Sequence, residues 1–362
     1  MPAAVIIGGG LAGLTAARLL QERGVDFELF EARDRLGGRV LTVDAAERAS
    51  YEGFDLGASW LWPELQPELA YLVDLLGVRF VPQYDEGDMI VQRAFGEAPQ
   101  RFPGIRSEPR SMRIAGGTAV LVEALARGLP ANCLRLGRQV RCVRLAQDEL
   151  EVVSTDARGS SRVLRAAAVI AAMPPRLLAE TVEFSPAIDP GTLRRWRETP
   201  TWMAPHAKFF ALYERPFWRD ADLSGEARSF VGPLAEIHDA TMTSGPAALF
   251  GFLALDAKQR LRAGRSALID ESLRQLSSMF GSPAREPMAT LFKDWAADPF
   301  TATTLDQSAG DHPISSALPW VARPWDRRLA LAGSETSRLY PGYLAGAVDA
   351  ARQAVNSIVS DR

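Results

Sequence analysis

A chain of 362 residues, 47% hydrophobic and 23% charged, has the composition of an ordinary globular protein, long enough for two domains that share a large core. A formal charge of −3 gives no electrostatic basis for partnership with nucleic acid or an anionic membrane. Two cysteines, Cys133 and Cys142, and three scattered histidines, His206, His238 and His312, exclude a disulfide framework and offer no metal-ligand spacing.

The chain opens on an apolar strand over residues 3–7. It has no basic leader and is broken at once by Gly8, Gly9 and Gly10, so it is read as the first strand of the fold and the protein as cytoplasmic. A helix from Leu11 to Arg23 and a strand from Asp26 to Glu31 complete a βαβ opening. The next helix is predicted from Glu68 to Leu76, followed by a stretch rich in proline, glycine and charge. Gly116 begins a second glycine-to-helix transition, with Val120 to Arg127 helical. Strand-like segments follow at 138–155 and from Val163 to Ala172, and Pro174-Pro175 marks an exit from the first domain. From Phe209 the pattern turns to strands and longer helices, among them Ala267 to Phe280. A last strand, Arg328 to Ala332, leads through a glycine and a loop to a helix from about Gly342 to Val359. No run of apolar residues is long enough to span a membrane. The order predicts an α/β fold whose cofactor domain is discontinuous, built from the start, middle and end of the chain.

Gly8-x-Gly10-x-x-Gly13 lies between the first strand and the first helix. In such a setting the first glycine permits a tight turn, the second lets a pyrophosphate approach the backbone, and the third lets the helix pack on the strand. Glu31, at the end of the second strand, suits a ribose diol. Downstream, the pair Gly37-Gly38 between Arg33, Arg35 and Arg39 offers close backbone approach flanked by cations that can meet phosphate oxygens.

Among 41 basic residues only Lys208, Lys258 and Lys293 are lysines. Lys208 sits in the apolar run Ala207-Lys208-Phe209-Phe210-Ala211-Leu212, where desolvation favours the neutral amine, a state arginine does not reach. Two readings stand: a functional amine, or a lysine snorkelling from a strand edge.

The stretch from Glu31-Ala32-Arg33 to Gly37-Gly38-Arg39 resembles the second glycine motif of the flavin-containing amine oxidase (monoamine oxidase-like) family. Further segments resemble the same family. Gly57-Ala58-Ser59-Trp60 is similar to the segment beside the isoalloxazine ring, and Gly116-Gly117-Thr118 to the glycine pair opening the middle flavin segment. Val140 matches a valine that touches the adenine. Trp295 matches a tryptophan loop in front of the ring, and Gly333, Glu335, Gly342, Tyr343 and Leu344 match the closing flavin motif. The resemblance implies a Rossmann-like FAD-binding domain over 1–62, 113–175 and 301–362, interleaved with a smaller α+β substrate domain with a mixed sheet over 63–112 and 176–300. It implies FAD as cofactor, an amine as small-molecule substrate and oxygen as electron acceptor. By the same resemblance Arg33 lies near the ribose, and Arg35 and Arg39 near the pyrophosphate and flavin. Lys208, followed by Phe217-Trp218, holds a water against flavin N5, and Tyr343 is one wall of an aromatic cage that orients the amine. A core tyrosine at a helix start is the other reading of Tyr343.

The sequence departs from the family in three places. Thr303-Thr304 stands where some members carry a flavin-linking cysteine, so the flavin is expected to be non-covalent. Leu305 stands at the second cage position. The segment 63–112 is much shorter than its counterparts, which implies either a more open pocket or a different substrate, with His206 and His238 as candidate polar groups. A flavin desaturase acting on a carbon–carbon bond, and a flavin-bound accessory protein without turnover, remain as alternatives.

Overall fold

The computed structural model describes residues 2–359 except 105, 148, 244 and 309. Strand Ala4–Ile7 is buried along its whole length at the centre of a five-stranded parallel sheet. The order is Leu329–Leu331, Ala168–Ala171, Ala4–Ile7, Phe27–Phe30 and Leu134–Arg135. Strands Ala4–Ile7 and Ala168–Ala171 are continuously apolar because both faces are covered. On one face helices Leu11–Glu22 and Leu344–Val359 pack on each other, joining Leu14 and Leu20 to Val355 and Ile358 in the core of Ile6 and Leu29. On the other face Val5 and Ile7 meet Leu150 and Val152 of a four-stranded sheet built largely from strands Arg138–Ala146, Glu149–Asp156 and Ser161–Ala166. This is the Rossmann-like α/β arrangement the opening motif implies.

The single strand expected from Val163 to Ala172 is two strands. Ser161–Ala166 pairs antiparallel with Glu149–Asp156, and Ala168–Ala171 pairs parallel with Ala4–Ile7. Exposure alternates along Ser161–Ala166, as a sheet with one wet face requires, whereas Ala-Val-Ile-Ala is apolar and buried throughout. Pro174-Pro175 is likewise no exit. Pro175 begins helix Pro175–Thr181, where its missing N–H costs nothing. The chain then adds strand Glu183–Ser185 to the four-stranded sheet and helix Pro190–Glu198, capped by the Asp189 carboxylate accepting from Thr192 N at 3.0 Å. Trp196 of that helix is fully buried in the same core as Val5. Residues to about 198 thus pack with the dinucleotide-fold half, beyond the boundary expected at 175. Helix Pro67–Leu75, expected in the substrate half, does the same, with Leu69, Leu72 and Val73 sharing the core of the last helix.

The other half is a seven-stranded sheet in the order Ala289–Asp294, Ala207–Tyr213, Ala247–Leu253, Leu234–Asp239, Leu223–Ser229, Asp88–Gln92 and Gln100–Phe102. It is mixed, because Leu223–Ser229 and Asp88–Gln92 run parallel. Alternation sorts strand Ala207–Tyr213: Phe209 and Ala211 face helix Arg265–Phe280, while Phe210 and Leu212 face Leu41, Phe54 and Leu56 of the first half. Lys208 shares the parity of Phe210, so the fold aims it at the junction between the halves. Among the described residues no helix is long and apolar enough to cross a membrane.

Candidate active site

A cavity of about 820 Å³ lies along that junction. Of the residues expected to hold cofactor or substrate, most line it, but Gly13, Arg35 and Glu335 do not. Gly8 adopts φ +107°, and a Cβ there would sit 2.5 Å from the Ala172 carbonyl oxygen. A Cβ on Gly13 would sit 1.9 Å from the Gly8 carbonyl oxygen, so Gly13 works behind the turn. Gly10 differs, because its nearest neighbour to a Cβ is 3.7 Å away. Gly37 and Gly38 lie beside it, bridged through Gly37 N donating to Gly9 O at 2.8 Å. The helix beginning at Leu11 has no side-chain cap, which leaves its first N–H groups free at the cavity wall, as an anionic pyrophosphate requires. Gly10→Val is therefore expected to fold but to purify without visible flavin absorbance, whereas Gly13→Val is expected to yield no folded protein. Flavin-loaded Gly10→Val would remove Gly10 from the cofactor site.

Glu31 is buried and accepts from Gly9 N at 2.6 Å through one oxygen and from Arg33 N at 2.9 Å through the other. Each carboxylate oxygen keeps acceptor capacity for a ribose hydroxyl. Arg33 donates to Asp298 at 2.6 Å and Thr301 Oγ1 at 2.8 Å, which ties the second strand to the loop after Trp295. Arg35, expected near the pyrophosphate, turns away: it donates to the carbonyls of Leu36, Gly38 and Val40 and braces the glycine turn from behind. Arg39 lines the cavity in a two-pronged pair with Glu335 at 2.5 and 3.1 Å. Glu335 is wholly buried and meets the cavity through Arg39, through Trp202 N at 3.3 Å and through Ser334 Oγ, which donates to it at 3.2 Å.

Lys208 is 4% exposed. Its Nζ donates to Gly57 O at 2.6 Å, Ser59 Oγ at 2.7 Å and Asp55 O at 3.1 Å, with the rings of Phe250 and Phe252 about it. Burial pulls its pKa from 10.5 down to about 7; Asp55 opposes the shift and Arg113 adds to it. The Asp55 side chain also accepts from Thr42 Oγ1 and from both N and Oγ1 of Thr118 through one oxygen, which locks the Gly116-Gly117-Thr118 turn to the segment Lys208 holds. Phe217 and Trp218, which follow Lys208 in sequence, pack in the core beneath the sheet, with Trp218 Nε1 donating to Asp239. Trp295 is buried with Nε1 donating to Leu56 O at 2.9 Å, and Val140 is buried at the opposite end.

Tyr343 is 37% exposed and reaches the cavity, with Trp62 edge-on at 5.9 Å and His312 at 4.8 Å. Leu305 is no second cage wall; it is 54% exposed and away from the cavity. Trp62 and Trp202 flank Tyr343 in its place, Trp202 fitting against Gly342 with its ring tilted against His312 at 4.2 Å. Sequence reading missed both, along with the lining residues Glu236 and Phe252. His206 lines the cavity and burial lowers its pKa, while His238 stands behind Trp60 at 4.8 Å. Thr303 caps a short helical turn through Asp306, and neither it nor Thr304 reaches the cavity.

The sequence profile described as flavin containing amine oxidoreductase matches residues 97–359, and that of an NAD(P)-binding Rossmann-like domain matches residues 6–76. The chain is 22% identical to a putative flavin-containing monoamine oxidase of Mycobacterium tuberculosis, over 98% of this chain and 96% of that one. It is 24% identical to a putrescine oxidase of Kocuria rosea over 82% of each. Among solved structures, a putrescine oxidase bound to putrescine superposes with a TM-score of 0.81 at 19% identity, over 99% of each chain. Cyclohexylamine oxidase of Brevibacterium oxydans superposes with a TM-score of 0.76 at 19% identity, again over 99% of each.

Proposed function

Since the chain belongs to the flavin containing amine oxidoreductase family, we propose that it binds FAD non-covalently and oxidises the carbon next to an amine nitrogen, with oxygen as final electron acceptor. When bound, FAD supplies the acceptor for the hydride equivalent from that carbon and the donor that reduces oxygen to peroxide. The observation that carries the reading is Lys208: a buried amine with a pKa near 7, at the cavity wall beside Gly57 and Ser59.

The free N–H groups at Leu11 and the backbone at Gly10 would hold the pyrophosphate, with Arg39 as a cation at the cavity wall. Glu31 takes the ribose and Val140 the adenine. Gly57, Ser59 and Trp295 border the ring system, and the start of helix Leu344–Val359 brings positive helix-end potential to it. Lys208 holds or moves a proton at Nζ. Tyr343, Trp62 and Trp202 orient the amine and keep water from the reacting carbon.

The test is an anaerobic titration of the purified protein with primary, secondary and polyamines. Bleaching of the oxidised flavin band by one amine class is the expected result. A flavin reduced by dithionite but by no amine would overturn amine oxidation, and absence of a flavin band after added FAD would overturn the cofactor assignment. Non-covalent attachment has its own check. Neither cysteine lines the cavity, so acid precipitation should release all of the flavin into the supernatant; flavin retained in the pellet would contradict this.

A further inference from the structure

Trp202, Met203 and His206 line the main cavity and also a second, much smaller one beside it. The second has a volume of about 10 Å³, room for about one water. Arg176, Thr201, Asp306 and Asp311 are among its walls. Arg176 and Asp306 are buried and paired with each other, and the other Asp306 oxygen accepts from Thr303 N and Oγ1, so they bring no unbalanced charge. Asp311 is exposed, so the wall it forms borders solvent.

Two enclosed polar atoms on residues of these walls have no hydrogen-bond partner among the described residues. One is Oγ1 of Thr201, a residue 1% exposed, and the other is Nδ1 of His206. Burying such atoms unpaired is costly, and a single water in the second cavity can serve both. Of the three residues common to the two cavities, only His206 can take up and release a proton. An imidazole accepts at one ring nitrogen and gives up a proton from the other. Burial favours its neutral, accepting form; Arg260, which donates to Pro205 O at 2.9 Å, adds to this, and Glu236 opposes it.

We propose that His206 and the second cavity form the exit path for the proton an amine loses at the flavin, passed from the imidazole to a water held by Thr201 Oγ1 and on past Asp311 to solvent. This rests on the amine-oxidation reading and adds a route to it. An alkylammonium ion has no lone pair on nitrogen. It first gives up one N–H proton; the α-carbon then gives a hydride, with its electron pair, to FAD, and an iminium ion remains. The hydride stays with the cofactor, whereas the proton has to leave. Lys208 does not border the second cavity, so His206 is the group through which a proton can pass from one cavity to the other.

The test follows anaerobic flavin reduction by butylamine, butane-1,4-diamine and benzylamine at pH 7 and at about pH 10, near which an alkylamine becomes neutral in solution. His206→Ala and His206→Asn are each expected to be about 10²-fold slower than wild type at pH 7, the scale of a lost proton-transfer group. Both should approach the wild-type rate at the higher pH, where the amine arrives already neutral. Added imidazole should restore part of the rate in His206→Ala, and Thr201→Val should show a smaller deficit with the same pH dependence. Flavin content and melting temperature of each variant exclude a folding defect. A further readout needs no turnover: the ring nitrogen NMR signals of His206 in the FAD-loaded protein, identified by their loss in His206→Asn, should shift in Thr201→Val because the two residues share a water. No deficit, a deficit equal at both pH values, or His206 signals indifferent to Thr201→Val overturns the inference and leaves amine oxidation standing. Bleaching of the wild-type flavin by none of the three amines overturns both.

Discussion

Lys208→Met is expected to slow flavin reduction by amine, or reoxidation by oxygen, by about 10²–10³-fold, within the range for loss of a positioned proton-transfer group. Methionine preserves the length of the side chain and the apolar surroundings of Phe250 and Phe252, but leaves Gly57 O, Ser59 Oγ and Asp55 O without their shared donor. The wild-type rate should rise with pH through about 7 as the amine becomes neutral, and that step should be missing from the variant. Stability supplies an independent readout. The amine's pKa is about 7 in the folded protein and 10.5 at its ordinary value, so between those limits the unfolded chain binds more protons. Wild-type stability should therefore gain from this residue as pH rises from 7 to 10.5, with the full cost of the buried charge below 7. Denaturant titrations at pH 7 and pH 10 should show this gain in the wild type and not in Lys208→Met. Unchanged stopped-flow rates for both half-reactions would remove Lys208 from the mechanism.

The second large effect is expected far from any reacting atom. Glu335→Ala removes the partner of Arg39 while leaving the guanidinium, whose side chain is 26% exposed, at the cavity wall. Breaking such a pair from one side costs about 3 kcal/mol, because the remaining charge is stranded. A fall of several degrees in melting temperature should accompany weaker FAD retention, since Arg39 and the Trp202 backbone both lose their anchor. Arg39→Ala removes the other partner, and in the double variant the two losses should not add. A Glu335→Ala protein that melts with the wild type and retains FAD equally would dismiss the pair as an anchor.

What could be read from sequence was what is local. The glycines at 8, 10 and 13 announce backbone approach within six positions, and a lone lysine among phenylalanines announces itself by contrast. Strand register is not local. Glu236 and Phe252 reach the cavity because three strands align with Lys208, and a bulge between Leu234 and Glu236 sets that alignment. Trp62 and Trp202 arrive on irregular segments with no period to read. Glu335 sits in a motif that belongs to the site, yet its direction depends on Arg39, 296 positions earlier. The boundary at Pro174-Pro175 failed for a related reason: proline ends some elements and begins others, and only the buried Trp196 downstream tells which.

The contact between helices Leu11–Glu22 and Leu344–Val359 has a consequence for how the protein is made. Arg23 donates to Asn356 across 333 positions, and Leu14 and Leu20 share their core with Val355 and Ile358. During synthesis the nucleotide-facing turn therefore leaves the ribosome with one apolar flank bare, and it stays bare until residues 344–359 have been made. An exposed apolar flank of this kind is prone to aggregation until its partner helix docks.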